Sequence, residues 1–127
     1  MLIKNGDRSR RVGDLMGVPL AAGAEVFKGS LVINADGYGK PGNDSDTGFV
    51  VGIARDHVVN AGADGDEMVE CERGIYLFNN AAGPVSVGID CYVYDDDAVK
   101  TSSGKIRAGK IWDVEPDGRV WVDMRGI

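Results

Sequence analysis

Histidine is nearly absent from this 127-residue chain, His57 being the only one, and cysteine occurs twice, as Cys71 and Cys91. A structural zinc site draws on about four Cys or His ligands at short spacing. The chain has three in all and no Cys-x-x-Cys pair, so no metal site is expected. A Ser-His-Asp or Cys-His arrangement would have to be built on His57 alone. The sequence therefore reads as a non-enzyme without a cofactor, and His57 as a surface residue at a strand end. The two cysteines read as small buried hydrophobes, with a disulfide left open should their strands be neighbours. Long apolar runs are missing too: nothing approaches the ~20 residues of a spanning helix, and no h-region of a signal peptide is visible. Basic residues are in deficit, 14 against 20 acidic, for a net charge of −6. That balance argues against nucleic acid or an anionic membrane as partner.

Glycine is what the chain has in excess, 19 residues against four prolines. The glycines lie singly at irregular intervals, so they punctuate short elements rather than mark a low-complexity tract. From about residue 20 the pattern is β. Leu31-Val32-Ile33 runs into Asn34-Ala35-Asp36-Gly37, where Asp-Gly is a hairpin turn signal. Phe49 to Ala54 is a short apolar run bounded by polar loops, which reads as a buried strand. Glu67 to Phe78 alternates, with Val69, Cys71, Ile75 and Leu77 on one face, and Arg73-Gly74 marks a bulge or bend. Ile89 to Tyr94, Ile106 to Val114 and Arg119 to Met124 complete the set, the last two joined by the turn Glu115-Pro116-Asp117-Gly118. Val58 to Met68 has room for a helical turn, but Gly62 and Gly65 make it a poor one. The fold class expected is all-β, a small β-sandwich or barrel-like domain.

Two features organise the chain further. Residues 1–12 hold Lys4, Arg8, Arg10 and Arg11 against Asp7, whereas residues 13–127 hold 10 basic and 19 acidic side chains. With little apolar periodicity, 1–18 reads as an extended basic arm and 19–127 as a single β domain. Within that domain an internal duplication is visible. Ala21-Ala22-Gly23 recurs as Ala81-Ala82-Gly83, and Lys40 recurs as Lys100. Leu31 to Asp36 aligns with Cys91 to Asp96, and Val51-Gly52-Ile53-Ala54-Arg55-Asp56 with Ala108-Gly109-Lys110-Ile111-Trp112-Asp113. Two similar β units packed together would produce this.

The acidic clusters suggest no site. Asp95-Asp96-Asp97 would alternate faces on a strand. Asn43 to Asp46 and Asp64 to Glu67 lack the twelve-residue calcium loop, and Gly37-x-Gly39 lacks the strand-loop-helix setting of a phosphate loop. Asn43 to Asp46 and Asp64 to Glu67 read as solvated turns.

The order of the segments resembles the head decoration, or capsid cement, proteins of tailed bacteriophages. The likeness is carried by Pro19-Leu20-Ala21-Ala22-Gly23-Ala24, Gly29-Ser30-Leu31-Val32 and Val51-Gly52-Ile53-Ala54. It continues through Glu70-Cys71-Glu72-Arg73-Gly74-Ile75-Tyr76, Val87 to Asp95, Lys100 to Lys105, Ala108-Gly109-Lys110-Ile111 and Arg119-Val120-Trp121-Val122. It covers roughly residues 18 to 124, and departs from the commoner pattern in the longer loop Asn43 to Thr47 and the arginine-rich start. The resemblance implies a virion structural protein, made in the host cytoplasm, on the outer surface of the matured capsid. Its partners would be the major capsid protein and itself, as a homodimer or homotrimer. In that setting Lys4, Arg8, Arg10 and Arg11 would lie in a groove on acidic capsid surface, and Tyr76, Trp112 and Trp121 are the candidate interface anchors. Core packing is the competing role for both tryptophans, and the more natural one for Trp112. Two other readings stay open, a phage tail or baseplate component and a carbohydrate-binding β module stacking sugars on Tyr38, Tyr76, Trp112 and Trp121.

Overall fold

The computed structural model describes residues 15–127. Twelve strands and no helix are found there: β1 (Leu15–Pro19), β2 (Glu25–Val26), β3 (Leu31–Ala35), β4 (Tyr38–Pro41), β5 (Phe49–Ala54), β6 (Val58–Val59), β7 (Met68–Glu72), β8 (Ile75–Asn80), β9 (Asp90–Val93), β10 (Ala98–Lys100), β11 (Arg107–Val114) and β12 (Val120–Asp123). They form a five-stranded sheet in the order β1-β7-β5-β3-β4, a closed barrel β10-β8-β12-β11-β9, and a small β2-β6 ribbon.

Starting the closed order at β8 shows the two large sheets to share one topology. β1, β7, β5, β3 and β4 take the places of β8, β12, β11, β9 and β10, with matching registers. Leu15 opposes Glu72 as Ile75 opposes Asp123, and Val18 opposes Val69 as Phe78 opposes Val120. The barrel closes where β8 meets β10 in parallel, Asn80 opposite Val99. Sixty residues earlier, Leu20 makes an isolated parallel bridge to Gly39. The hydrogen bond beside it recurs as well, Ala21 N to Gly39 O at 3.0 Å and Ala81 N to Val99 O at 2.8 Å. The chain is a tandem of two five-stranded units, the first closed by a single bridge.

Each unit owes its curvature to one glycine. Gly52 and Gly109 sit at register shifts in β5 and β11 with φ of 154° and 150°. A Cβ on Gly52 would lie 2.7 Å from the carbonyl oxygen of Glu72, and one on Gly109 would strike that of Asp123. Such bulges tighten the strand so that the sheet can roll up.

Val18, Leu20, Val26, Val32, Val51, Ala54, Val69 and Cys71 fill the first unit. The second cluster crosses the junction: Leu31, Ile33, Ala35, Val50 and Ile53 turn away from the first interior and join Phe78, Cys91, Val93, Ile111, Val122 and Met124. One core thus belongs partly to both units. Arg73 fastens the crossing, its guanidinium donating to Val51 O (3.1 Å), Val50 O (2.9 Å) and Ile127 O (2.8 Å). Ser30 and Asp96 add a second tie, Oγ to Oδ2 at 2.8 Å, beside Leu31 N to Asp96 O at 2.9 Å.

Several sequence expectations need amendment. Glu67 to Phe78 is not one strand with a bend: β7 ends at Glu72, β8 starts at Ile75, and the two belong to different units. The expected common face of Val69, Cys71, Ile75 and Leu77 does not survive the break: Val69 and Cys71 face the first core, whereas in β8 Phe78 and Tyr76 turn inward and Ile75 and Leu77 turn out. Residues 15–18, grouped with the arm, form most of β1, where backbone pairing to β7 supplies what weak apolar periodicity concealed. The duplication aligns Val32, not Leu31, with Cys91, because Asp36-Gly37 is a two-residue turn (φ 55° and 92°) while the second hairpin turns over Asp95 to Asp97. Residues 58–68 hold no helix; they loop around Asn60, a fully buried side chain whose Nδ2 donates to Leu20 O (3.0 Å), Ala21 O (3.2 Å) and Ala63 O (2.9 Å).

Candidate interaction surface

Among the described residues no group of three or more His, Cys, Asp or Glu side chains comes together to hold a metal ion. Cys71 and Cys91 are free thiols, each buried, in β7 of one unit and β9 of the other. Burial pushes both thiols up to about 12, far from a reactive thiolate. His57 is exposed, its ring stacked on Phe27 (centroids 4.7 Å apart, planes 7° off parallel) with Nε2 2.7 Å from Glu25 Oε2.

The acidic loops are structural. Asn43 Oδ1 accepts from Ser45 N (3.0 Å) and Asp46 N (2.8 Å), and its Nδ2 donates to Asp46 Oδ2 (2.9 Å). That hydrogen bond from Asn43, helped by Lys40, holds the Asp46 carboxyl below the ordinary carboxylate range. The duplicated lysines converge on this loop: Lys40 Nζ lies 3.4 Å from Asp46 Oδ2, and Lys100 Nζ 4.0 Å from Asp44 Oδ2. Lys105 Nζ adds a hydrogen bond to Ser45 O at 2.9 Å.

What remains as a surface of distinct character is the outer face of β8, β12 and β11. Alternation puts Phe78, Val120 and Val122 inside the second unit and Ile75, Leu77 and Trp121 outside. Trp112 is the extra residue at a register shift between Ile111 and Asp113, so it stands out from the sheet and is 56% exposed. This corrects the preference for Trp112 as a core residue, because the bulge breaks the alternation that would have turned it inward. Trp121 is half-buried, its Nε1 donating to Glu115 Oε1 at 2.6 Å. Trp112, Trp121, Ile75 and Asp113 line one open cavity of ≈ 260 Å³. The guanidinium of Arg125 lies over the Trp112 ring, 5.8 Å from its centroid, and is gripped by both oxygens of Asp123 (3.0 and 3.1 Å). These hydrogen bonds hold the Asp123 carboxyl below its ordinary range.

Of the sequence-derived anchors, the structure brings Trp112 and Trp121 together. Tyr76 is on the opposite side of β8, packed in part against the shared core, and Tyr38 belongs to β4 of the other unit. Ile75, Asp113 and Arg125 complete the face and escaped sequence reading, since only strand pairing places them beside the indoles. Lys4, Arg8, Arg10 and Arg11 lie outside the described residues. No family model, no curated protein and no solved structure matches this chain.

Proposed function

We propose that the chain is a virion structural protein that binds the outer surface of a matured phage capsid and stabilises contacts between major capsid subunits. The observation that carries this reading is the aromatic face on which the exposed Trp112 stands beside the half-buried Trp121. Two tandem units sharing one core make a stiff block, suited to clamping neighbours with little ordering cost on binding. Trp112 and Trp121 provide the rigid aromatic area that interfaces concentrate their binding energy in. Many equivalent sites on a shell would give strong retention from modest individual contacts. The resemblance over residues 18 to 124 supports the same reading, and the acidic body would keep decorated particles apart.

The test is co-sedimentation with undecorated expanded shells and with unexpanded procapsids, at low and high salt. Saturable pelleting with expanded shells alone is expected, weakened by Trp112→Ala and, at low salt, by R8A/R10A/R11A. Absence of pelleting with either particle overturns the proposal. A second reading as a carbohydrate-binding module draws on the cavity that Trp112 and Trp121 share with Asp113. Retention on a polysaccharide column, lost in Trp112→Ala, would favour it.

A further inference from the structure

Where the two units meet, the starts of β5 and β11 leave a cavity of ≈ 390 Å³. Its wall is built from Phe49 and Val50 of the first unit and Ile106 and Arg107 of the second, together with Arg73 of the crossing and Ile127. The two strand starts are equivalent. Val50 opposes Ile33 two residues before the bulge at Gly52, and Arg107 opposes Tyr92 two residues before the bulge at Gly109. The second unit thus sets a guanidinium where the first buries a valine, so the fold itself does not ask for a charge there. Gly48 adds no side chain to fill the hollow, since a Cβ on it would strike Asn34 O. Phe49 borders it while still 57% exposed, apolar surface that the fold leaves uncovered.

We propose that this cavity binds a small apolar carboxylate, its tail against Phe49, Val50, Ile106 and Ile127 and its head on Arg107. Charge complementarity carries the choice. On a chain of net charge −6, the charged side chains of this wall are two arginines, with no acid among them. Arg73 is spent on the main chain, donating to Val50 O, Val51 O and Ile127 O, and pairs with no acidic side chain among the described residues. Arg107 has donors to offer. Its Nε is engaged on Asp90 Oδ1 at 3.1 Å, an oxygen shared with Lys110 Nζ at the same distance. One carboxylate between two cations leaves net positive charge, and among the described residues Nη1 and Nη2 of Arg107 make no hydrogen bond. An incoming carboxylate would take those two nitrogens in parallel, the arrangement in which a guanidinium holds it best. One available guanidinium matches a single carboxylate rather than a polyanion. The size suits it as well, since cavities of this order with mostly apolar walls and a few placed polar groups take small organic ligands. None of these residues belongs to the aromatic face, so the site stands apart from whatever meets Trp112 and Trp121.

The test titrates full-length ¹⁵N-labelled protein with octanoate, and in parallel with octanol and with acetate, following the backbone amide shifts. Saturable octanoate binding is expected, with the largest shifts at Phe49, Val50, Ile106 and Arg107. Octanol lacks the charge and acetate the tail, so each should bind at least about tenfold more weakly, and Arg107→Gln should weaken octanoate by about tenfold. Arg107 is exposed and Lys110 keeps its hold on Asp90, so R107Q should leave the amide spectrum outside the cavity unchanged. Arg119→Gln removes an equal charge outside the cavity and should leave the affinity within about twofold. Absence of saturable binding, or shifts centred on Ile75, Trp112 and Trp121, overturns the proposal. So does octanol binding as tightly as octanoate, or a loss in R107Q no larger than in R119Q.

Discussion

Replacing the bulge glycines with alanine tests the tandem architecture most directly. Gly52 and Gly109 have positive φ, a backbone region that costs a side chain of order 1–3 kcal/mol. The added methyl also meets the backbone of the neighbouring strand. On Gly52 it would lie 2.7 Å from Glu72 O, and on Gly109 closer still to Asp123 O. A carbonyl held in a ladder cannot swing aside, so the strand itself must shift, an overpacking cost of about 1–3 kcal/mol. Together these predict roughly 3–5 kcal/mol for each substitution, with G109A the more severe. Gly118 is the control: it has φ of 92° with nothing within 4 Å of an added Cβ, so G118A should cost only about 1–2 kcal/mol. In urea, with a slope near 1.5 kcal/mol/M, the midpoints should fall by ~2–3 M for the bulge variants and ~1 M for G118A. Equal losses in G109A and G118A would refute the reasoning, because the contact with the adjacent strand would then contribute nothing.

Three further outcomes follow from polar and titrating groups in the interior. Asn60→Ala removes the donor for three carbonyls and the acceptor for Gly62 N, and should cost about 3–4 kcal/mol by chemical denaturation. Arg73→Lys keeps the charge but cannot serve carbonyls on β5 and the C-terminus together; a loss of about 2 kcal/mol is expected, seen as a lower thermal midpoint. The Cys71 and Cys91 thiols ionise near their ordinary 9.0 when unfolded and at about 12 when folded, so their stabilising contribution is whole below pH 9 and fades towards pH 12. Each thiol should contribute a downward slope of about 1.4 kcal/mol per pH unit across that window. Urea midpoints from pH 8 to 11 should therefore fall more steeply for the natural chain than for C71V/C91V.

How much of this was readable from sequence depends on the scale of the signal. Phe49 to Ala54 is found as a strand because Val50 to Ala54 are buried without a break, and Asp36-Gly37 as a turn because Asp-Gly is among the few dipeptides that suit two positive φ angles. The duplication was legible through Gly52 and Gly109, whose neighbours share a small-Gly pattern imposed by the same close approach. Tyr38 to Pro41 and Ala98 to Lys100 were missed, being too short to show alternation and held by pairing on β3 and β9. The aromatic face was half legible: Trp121 keeps the period of its strand, whereas Trp112 leaves it at a bulge that only the pairing with β12 reveals.

The two-residue crossing at Arg73-Gly74 bears on how the units stay together. So short a tether holds the halves at a very high local concentration, so their association is in effect a unimolecular step. The junction can then be small, built on Leu31, Ile33, Ala35, Val50 and Ile53, and still remain closed. That apolar strip would be bare on the first half made alone, and the interior it covers would be open on the second. The repeated unit is thus not one that can be separated: each half is the solvent shield of the other.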